Sequence, residues 1–149
     1  MDLVKRYVEY AGAFERVYQS DAWKELEPFF TENAVYEVAG PAPFGGRAEG
    51  RDAVLAHLRD SVNAFDRRFP RRAVQVLEGP ALRPGGVWVH WRASYSGPGL
   101  PELVLDGEES ASFEGERIHR LEDRFPPEMR WILELWLHNF GSRLAAAAR

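Results

Sequence analysis

The sequence predicts an α+β fold, a curved and mostly antiparallel sheet wrapped around helices, with an extra helix after the last strand. Three observations predict it. Val87, Val89, Trp91, Ala93 and Tyr95 alternate with Trp88, His90, Arg92 and Ser94, the period-two pattern of a sheet with one buried face. Leu105, Gly107, Glu109, Ala111 and Phe113 repeat that parity against Val104, Asp106, Glu108, Ser110 and Ser112. The helical periodicities fall outside this region, in the order helix, helix, strand, helix, four strands, helix, which segregates helices from sheet.

The elements follow in chain order. Asp2 is placed to cap a first helix whose apolar positions, Leu3, Tyr7, Tyr10, Ala11, Phe14, Val17 and Tyr18, recur at spacings of three and four, ending near Ser20. Asp21 is the expected cap of a shorter helix carrying Trp23, Leu26, Phe29 and Phe30, with Pro28 removing a backbone donor inside it. Residues 34–39 read as a strand in which Tyr36 and Val38 compete with Val35 for the inward face. Residues 40–50 hold four glycines and two prolines and read as a loop, free enough to form a lid. Residues 51–65 form an amphipathic helix, with Val54, Leu55, Leu58, Val62 and Phe65 on one side and His57 at its border. Residues 72–78 are a further strand, and residues 79–86 turn into the central region. Glu114-Gly115 provides a hairpin turn, and residues 118–125 return as the last strand. There Ile118 and Leu121 have opposite parity, so a bulge or an offset is required. Pro126-Pro127 breaks that strand, and Pro127 suits the first position of a last helix over about 127–144. It aligns Met129, Ile132, Leu133, Trp136, Leu137, Phe140 and Leu144, leaving Trp131 and Leu135 outside the stripe.

Composition bounds the function. A chain of 149 residues is long enough for one domain with a substantial core, and we read one domain over 1–149, its core at about 3–125. Five Trp, five Tyr and nine Phe residues are many, and such interiors either wall a cavity or fill a core. The net charge of −4 and the scattered basic residues argue against nucleic acid. The Arg67-Arg68 and Arg71-Arg72 cluster reads as a solvated loop rather than a phosphate site. The absence of cysteine removes disulfides, thiolate metal sites and thiol nucleophiles. No apolar run approaches bilayer length and the N-terminus lacks the apolar core of a signal peptide, so a soluble cytoplasmic protein without membrane contact is expected.

Phe29-Phe30-Thr31-Glu32-Asn33-Ala34-Val35-Tyr36, followed by Gly50-Arg51-Asp52-Ala53-Val54, resembles the nuclear transport factor 2-like superfamily, and within it the SnoaL-like and steroid delta-isomerase-like branches. The resemblance runs over about residues 3–125 and implies a cystatin-like cone whose interior holds a small molecule. That superfamily includes isomerases, dehydratases, cyclases, epoxide hydrolases and non-catalytic modules, so a shared fold does not fix a reaction. Of the steroid-isomerase pattern, the donor tyrosine falls on Phe14 and the proton-shuttling aspartate on Val38, neither of which can do that chemistry. Only the second carboxyl is matched, by Glu109. The resemblance also turns Val89, Trp91, Ala93, Tyr95, Ala111 and Phe113 toward the interior and puts His57 and Leu58 at the inner end of their helix.

Glu109 is the one carboxylate on an apolar face, where burial disfavours its charge and suits it to acid or shuttle chemistry. The alternatives are a partner Arg or Tyr, or a rim position that reaches water. His57 is the candidate complementary base, or a rim histidine bonded to water or backbone. The candidate catalytic residues are thus Glu109 and His57. The candidate substrate-binding residues are Phe14, Trp23, Tyr36, Leu58, Val89, Trp91, Tyr95, Ala111 and Phe113. No cofactor and no metal are expected, since His57, His90, His119 and His138 lack paired ligand spacing. The expected partners are a small apolar or cyclic ligand and a second copy of the chain, docked through the outer sheet face around Trp88, His90 and Arg92. The function read from this is a small-molecule-binding domain that either performs cofactor-independent acid-base chemistry, as an isomerase, dehydratase or cyclase, or holds a ligand without converting it.

Overall fold

The computed structural model describes residues 2–146. The first helix, α1 (Leu3–Ser20), begins where Asp2 accepts a hydrogen bond from the Lys5 amide at 3.0 Å, as its cap position requires. Asp21 does not cap the next element. It adopts a left-handed conformation (φ 64°) that closes α1, its amide donating to the Val17 carbonyl at 2.7 Å. The residues that follow form a 3-10 helix (Trp23–Phe29) containing Pro28, and Phe30 already belongs to strand β1 (Phe30–Ala39).

The glycine-rich loop is shorter than expected because strand β2 (Gly46–Glu49) folds back on β1 as an antiparallel pair. Helix α2 (Arg51–Ala64) covers β1, burying Val54, Leu55, Leu58 and Val62. Strands β3 (Arg71–Arg83), β4 (Gly86–Gly97), β5 (Leu100–Glu114) and β6 (Arg117–Arg124) form successive antiparallel neighbours. The sheet order is β2-β1-β6-β5-β4-β3, and β1 meets β6 in parallel, so the sheet is mixed at that one seam. Strand β3 runs through Gly79-Pro80 instead of turning there, since Gly79 at φ 85° absorbs an irregularity where a Cβ would meet the Trp88 carbonyl oxygen at 2.7 Å.

The parity of β4 and β5 is as the sequence predicts: Val87, Val89, Ala93, Tyr95, Leu105 and Ala111 are buried. Their alternates lie on the other face, where Arg92 pairs with Asp106 at 2.7 Å and Arg83 lies 4.6 Å from the Trp88 ring centre. On β6 the pairing steps from Ser112↔Arg120 to Phe113↔Ile118, a bulge that leaves both Ile118 and Leu121 fully buried despite their opposite parity. On β1, Phe30, Ala34 and Tyr36 are the buried residues. Helix α3 (Met129–Phe140) buries Met129, Leu133 and Trp136 in a second core with Phe65, Phe69, Tyr95, Leu103 and Leu105, while Trp131 (61%) and Leu135 (55%) stay exposed.

Two arginines of the basic cluster turn inward, contrary to a solvated loop. Arg67 donates to Asp21, to Asn63 and to the Tyr18 carbonyl. Arg72 donates to Asp66 and to both carboxylate oxygens of Glu15. They tie α1 to the start of β3.

Candidate functional site

Between α1, α2 and the concave face of the sheet lies a cavity of about 380 Å³. Its walls are Phe14 and Ala11 of α1, Leu58 and Val62 of α2, Val38 of β1, and Val89, Trp91 and Ala93 of β4. Phe44, from the loop before β2, closes one side by stacking on Phe125 at 5.1 Å and packing edge-on against Phe65 at 4.7 Å. Val8 of α1 and Val74 and Val76 of the edge strand β3 line the same space and are exposed, so they form its rim.

Two carboxyl groups sit in this apolar wall. Glu109 projects from β5 and Asp123 from β6, directly opposite each other in the ladder, with their carboxyl groups near enough for a proton to pass between them. Both are half-buried and line the cavity. The Tyr7 hydroxyl donates to Glu109 Oε1 at 2.7 Å, and the Tyr36 hydroxyl donates to Asp123 Oδ2. Asp123 Oδ1 is buried and receives no ordinary donor. Two ionised carboxylates cannot donate to each other, so a proton held between them is what completes the set.

The electrostatics agree. Burial, then the charge of Asp123, pushes the Glu109 carboxyl well above the usual carboxylate range. Burial raises Asp123 too, opposed by hydrogen bonds from Glu109 and Tyr36 and by the positive charge available on His57. The two carboxyls therefore act as a coupled pair that favours holding one proton between them over ionising fully. Burial and the neighbouring carboxylates push the Tyr7 and Tyr36 hydroxyls upward as well, which keeps them as donors. The arrangement Tyr7, Glu109, Asp123, Tyr36 can give a proton from one carboxyl and accept one at the other.

The far end of the cavity has a second polar group. Asp66, buried at the end of α2, accepts from the Tyr95 hydroxyl at 3.0 Å and from Arg72 Nε at 3.1 Å. Burial raises its pKa, and Arg72 and Tyr95 oppose the rise.

Of the residues expected at the site, Glu109, Phe14, Tyr36, Leu58, Val89, Trp91 and Tyr95 line the cavity. Four do not. His57 stands behind Tyr36 with ring centres 5.2 Å apart, and the carboxyl partner of Glu109 is Asp123, because α2 turns Leu58 rather than His57 inward. Trp23 is buried against Phe14 and donates its Nε1–H to Asp21 at 2.7 Å, so it is core. Ala111 is buried in the core beneath the cavity, and Phe113 packs half-buried against the same cluster. Missed entirely were Asp123, Asp66, Tyr7 and Tyr10, the last of which also lines the cavity. Asp123 shares the parity of Leu121 and Phe125, the same signature that marked Glu109, and the bulge after Ile118 hid it. Tyr7 and Tyr10 lay on the apolar stripe of α1, where a hydroxyl gives no periodicity of its own.

The sequence profile of the SnoaL-like domain matches residues 10–124. No curated protein matches the chain at the level of sequence. Among solved structures, Bal32a from a soil-derived mobile gene cassette is 19% identical, with a TM-score of 0.66 over 91% of this chain and 99% of its own. A protein of Rhodopseudomonas palustris, provisionally named an isomerase, is 18% identical with a TM-score of 0.67, covering 90% of this chain and 96% of its own. An LEH-like epoxide hydrolase of M. tuberculosis is 15% identical with a TM-score of 0.60, covering 94% and 98%. At these identities the likeness is one of fold.

Proposed function

The chain belongs to the SnoaL-like family, and from that premise we propose that its cavity takes a small, mostly apolar, ring-containing molecule and performs acid-base chemistry on it without a cofactor. The reaction class is isomerisation, dehydration or cyclisation. One observation carries this reading: Glu109 and Asp123 are paired in an apolar cavity with a tyrosine hydroxyl on each. In this reading the ionised member of the pair, assigned to Asp123, takes a proton from substrate carbon. Glu109 returns one to a substrate oxygen or to the neighbouring carbon, with Tyr7 and Tyr36 holding both carboxyls in place. His57 stands behind Tyr36, where a proton on its ring would favour the ionised form of Asp123. Trp91 and Tyr95 hold the ring.

A nitrobenzisoxazole, which opens when one C–H proton is removed, tests the base directly. The protein should open it, and Asp123→Asn and Glu109→Gln should each lower kcat/KM by about a hundredfold, the scale of general acid-base catalysis. Far-UV circular dichroism verifies that the variants fold. Equal rates in folded wild type and variants would overturn the reading. A second reading, a pocket that holds its ligand unconverted, is supported by Phe14 and Val38 in the cavity wall, where the steroid-isomerase pattern has catalytic side chains.

The assembly we propose is a homodimer using the outer sheet face around Trp88, His90 and Arg92 and the exposed Trp131 and Leu135 of α3. No helix among the described residues is long and apolar enough to cross a membrane, and a cytoplasmic location is part of the proposal.

A further inference from the structure

The two polar groups of the cavity are far apart. Glu109 is opposite Val89 on β4, and Tyr95 is six residues further along the same inward face, roughly 20 Å at about 3.3 Å per residue. Along α1, Tyr7 at the first group and Glu15 at the second are eight residues apart, about 12 Å at about 1.5 Å per residue. Aromatic and aliphatic side chains fill the distance between them.

The second group has a definite polarity. The Tyr95 hydroxyl gives its one proton to Asp66, and Arg72 is committed to Asp66 and Glu15. Apart from the N–H groups that Arg72 does not give to these two carboxylates, what the group presents is acceptor: the Tyr95 oxygen lone pairs, strengthened because that hydroxyl donates to a carboxyl, and the Asp66 carboxyl itself. Among the described residues, Arg72 is the only cation lining the cavity, against Glu15, Asp66 and the Glu109–Asp123 pair. The interior is therefore net negative and repels anions.

On the premise that the cavity is a ligand site, we propose that the Tyr95–Asp66 group is its specificity-determining end. It selects elongated, apolar, neutral or cationic molecules that carry a hydroxyl or amine at the end remote from Glu109 and Asp123. Carboxylates and phosphates are rejected, because Arg72 is already paired with Asp66 and Glu15 and the other charges lining the cavity are acidic. The Tyr95 ring is fixed for this purpose between Phe65 and Phe69, with centres 5.1 Å and 5.0 Å away.

The test is a set of matched probes, para-hydroxybiphenyl, para-methoxybiphenyl and biphenyl para-carboxylate, titrated calorimetrically into wild type, Tyr95→Phe and Glu109→Gln. Tyr95→Phe keeps the packed ring and removes the hydroxyl, both the acceptor offered to the ligand and the donor to Asp66. In wild type the hydroxyl probe should bind about tenfold tighter than the methoxy probe, the worth of one charge-assisted hydrogen bond, and the carboxylate should not bind. That preference should vanish in Tyr95→Phe and survive in Glu109→Gln. Binding of both neutral probes with no preference, or a preference untouched by Tyr95→Phe, overturns the proposal and leaves the cavity a ligand site. Tight binding of the carboxylate also overturns it. Failure of every probe to bind overturns the premise and the proposal together.

Discussion

Tyr7 reaches Glu109 from α1, and that single hydroxyl links the helix to a carboxyl that burial pushes well above the ordinary range. Its hydrogen bond lowers the Glu109 pKa, so Tyr7→Phe should raise it further and cost about 1 kcal/mol of stability. Denaturant unfolding of the variant measures the second effect. The pH dependence of stability follows from Glu109 in a fixed direction. A carboxyl whose folded pKa is raised binds its proton more tightly in the native state, so it contributes stability at low pH that is lost as pH rises through the folded value. Glu109→Gln cannot lose that proton. The stability of the variant relative to wild type should therefore grow as pH climbs above 4.5, the ordinary glutamate value, by up to about 1.4 kcal/mol per pH unit. Urea titrations at several pH values check it, and a constant difference between the two proteins would contradict it. Glu109 itself was legible, since a charge at an inward parity position stands out against Leu105 and Ala111. Its partner was not, because parity counted from Ile118 assigns Asp123 to the wrong face once β6 bulges.

At the level of elements, the pairing of β4 with β5 sets the shape of the cavity wall. Gly107 lies opposite Trp91 in register, and a Cβ there would fall 2.3 Å from the indole ring. Gly107→Ala should push the indole into the cavity, at a cost of about 1–3 kcal/mol, read by denaturant unfolding and by a shift in tryptophan emission. Helix α3 behaves as a structural cover. Leu133 is fully buried in the second core, so Leu133→Ala should cost about 2–5 kcal/mol. Trp131→Ala and Leu135→Ala remove exposed side chains and should leave the fold intact while weakening self-association, measured by light scattering at micromolar protein. A wild-type monomer there would contradict the dimer. The position of α1 was legible because period and cap agreed in the sequence, and those of α2, β4 and β5 because the period alone was clear. Strand β2 and the parallel seam between β1 and β6 were not, since a four-residue glycine-containing strand has no period to read and neighbour choice depends on contacts distant in sequence.

For the whole molecule, a cone with an apolar interior follows from one inward parity carried across neighbouring strands and covered by two amphipathic helices. Its two polar ends are exceptions to that pattern, which is why they are where chemistry is to be sought. The central claim is that Glu109 and Asp123 share one proton inside the cone at neutral pH. Carboxyl carbon-13 chemical shifts of these two residues, assigned with Glu109→Gln and Asp123→Asn and followed from acid to alkaline pH, measure it most directly. The account predicts that both signals respond to two coupled steps, with the second, carried mostly by Glu109, far above the ordinary carboxylate range. Two independent titrations near the ordinary values of Asp and Glu would contradict it.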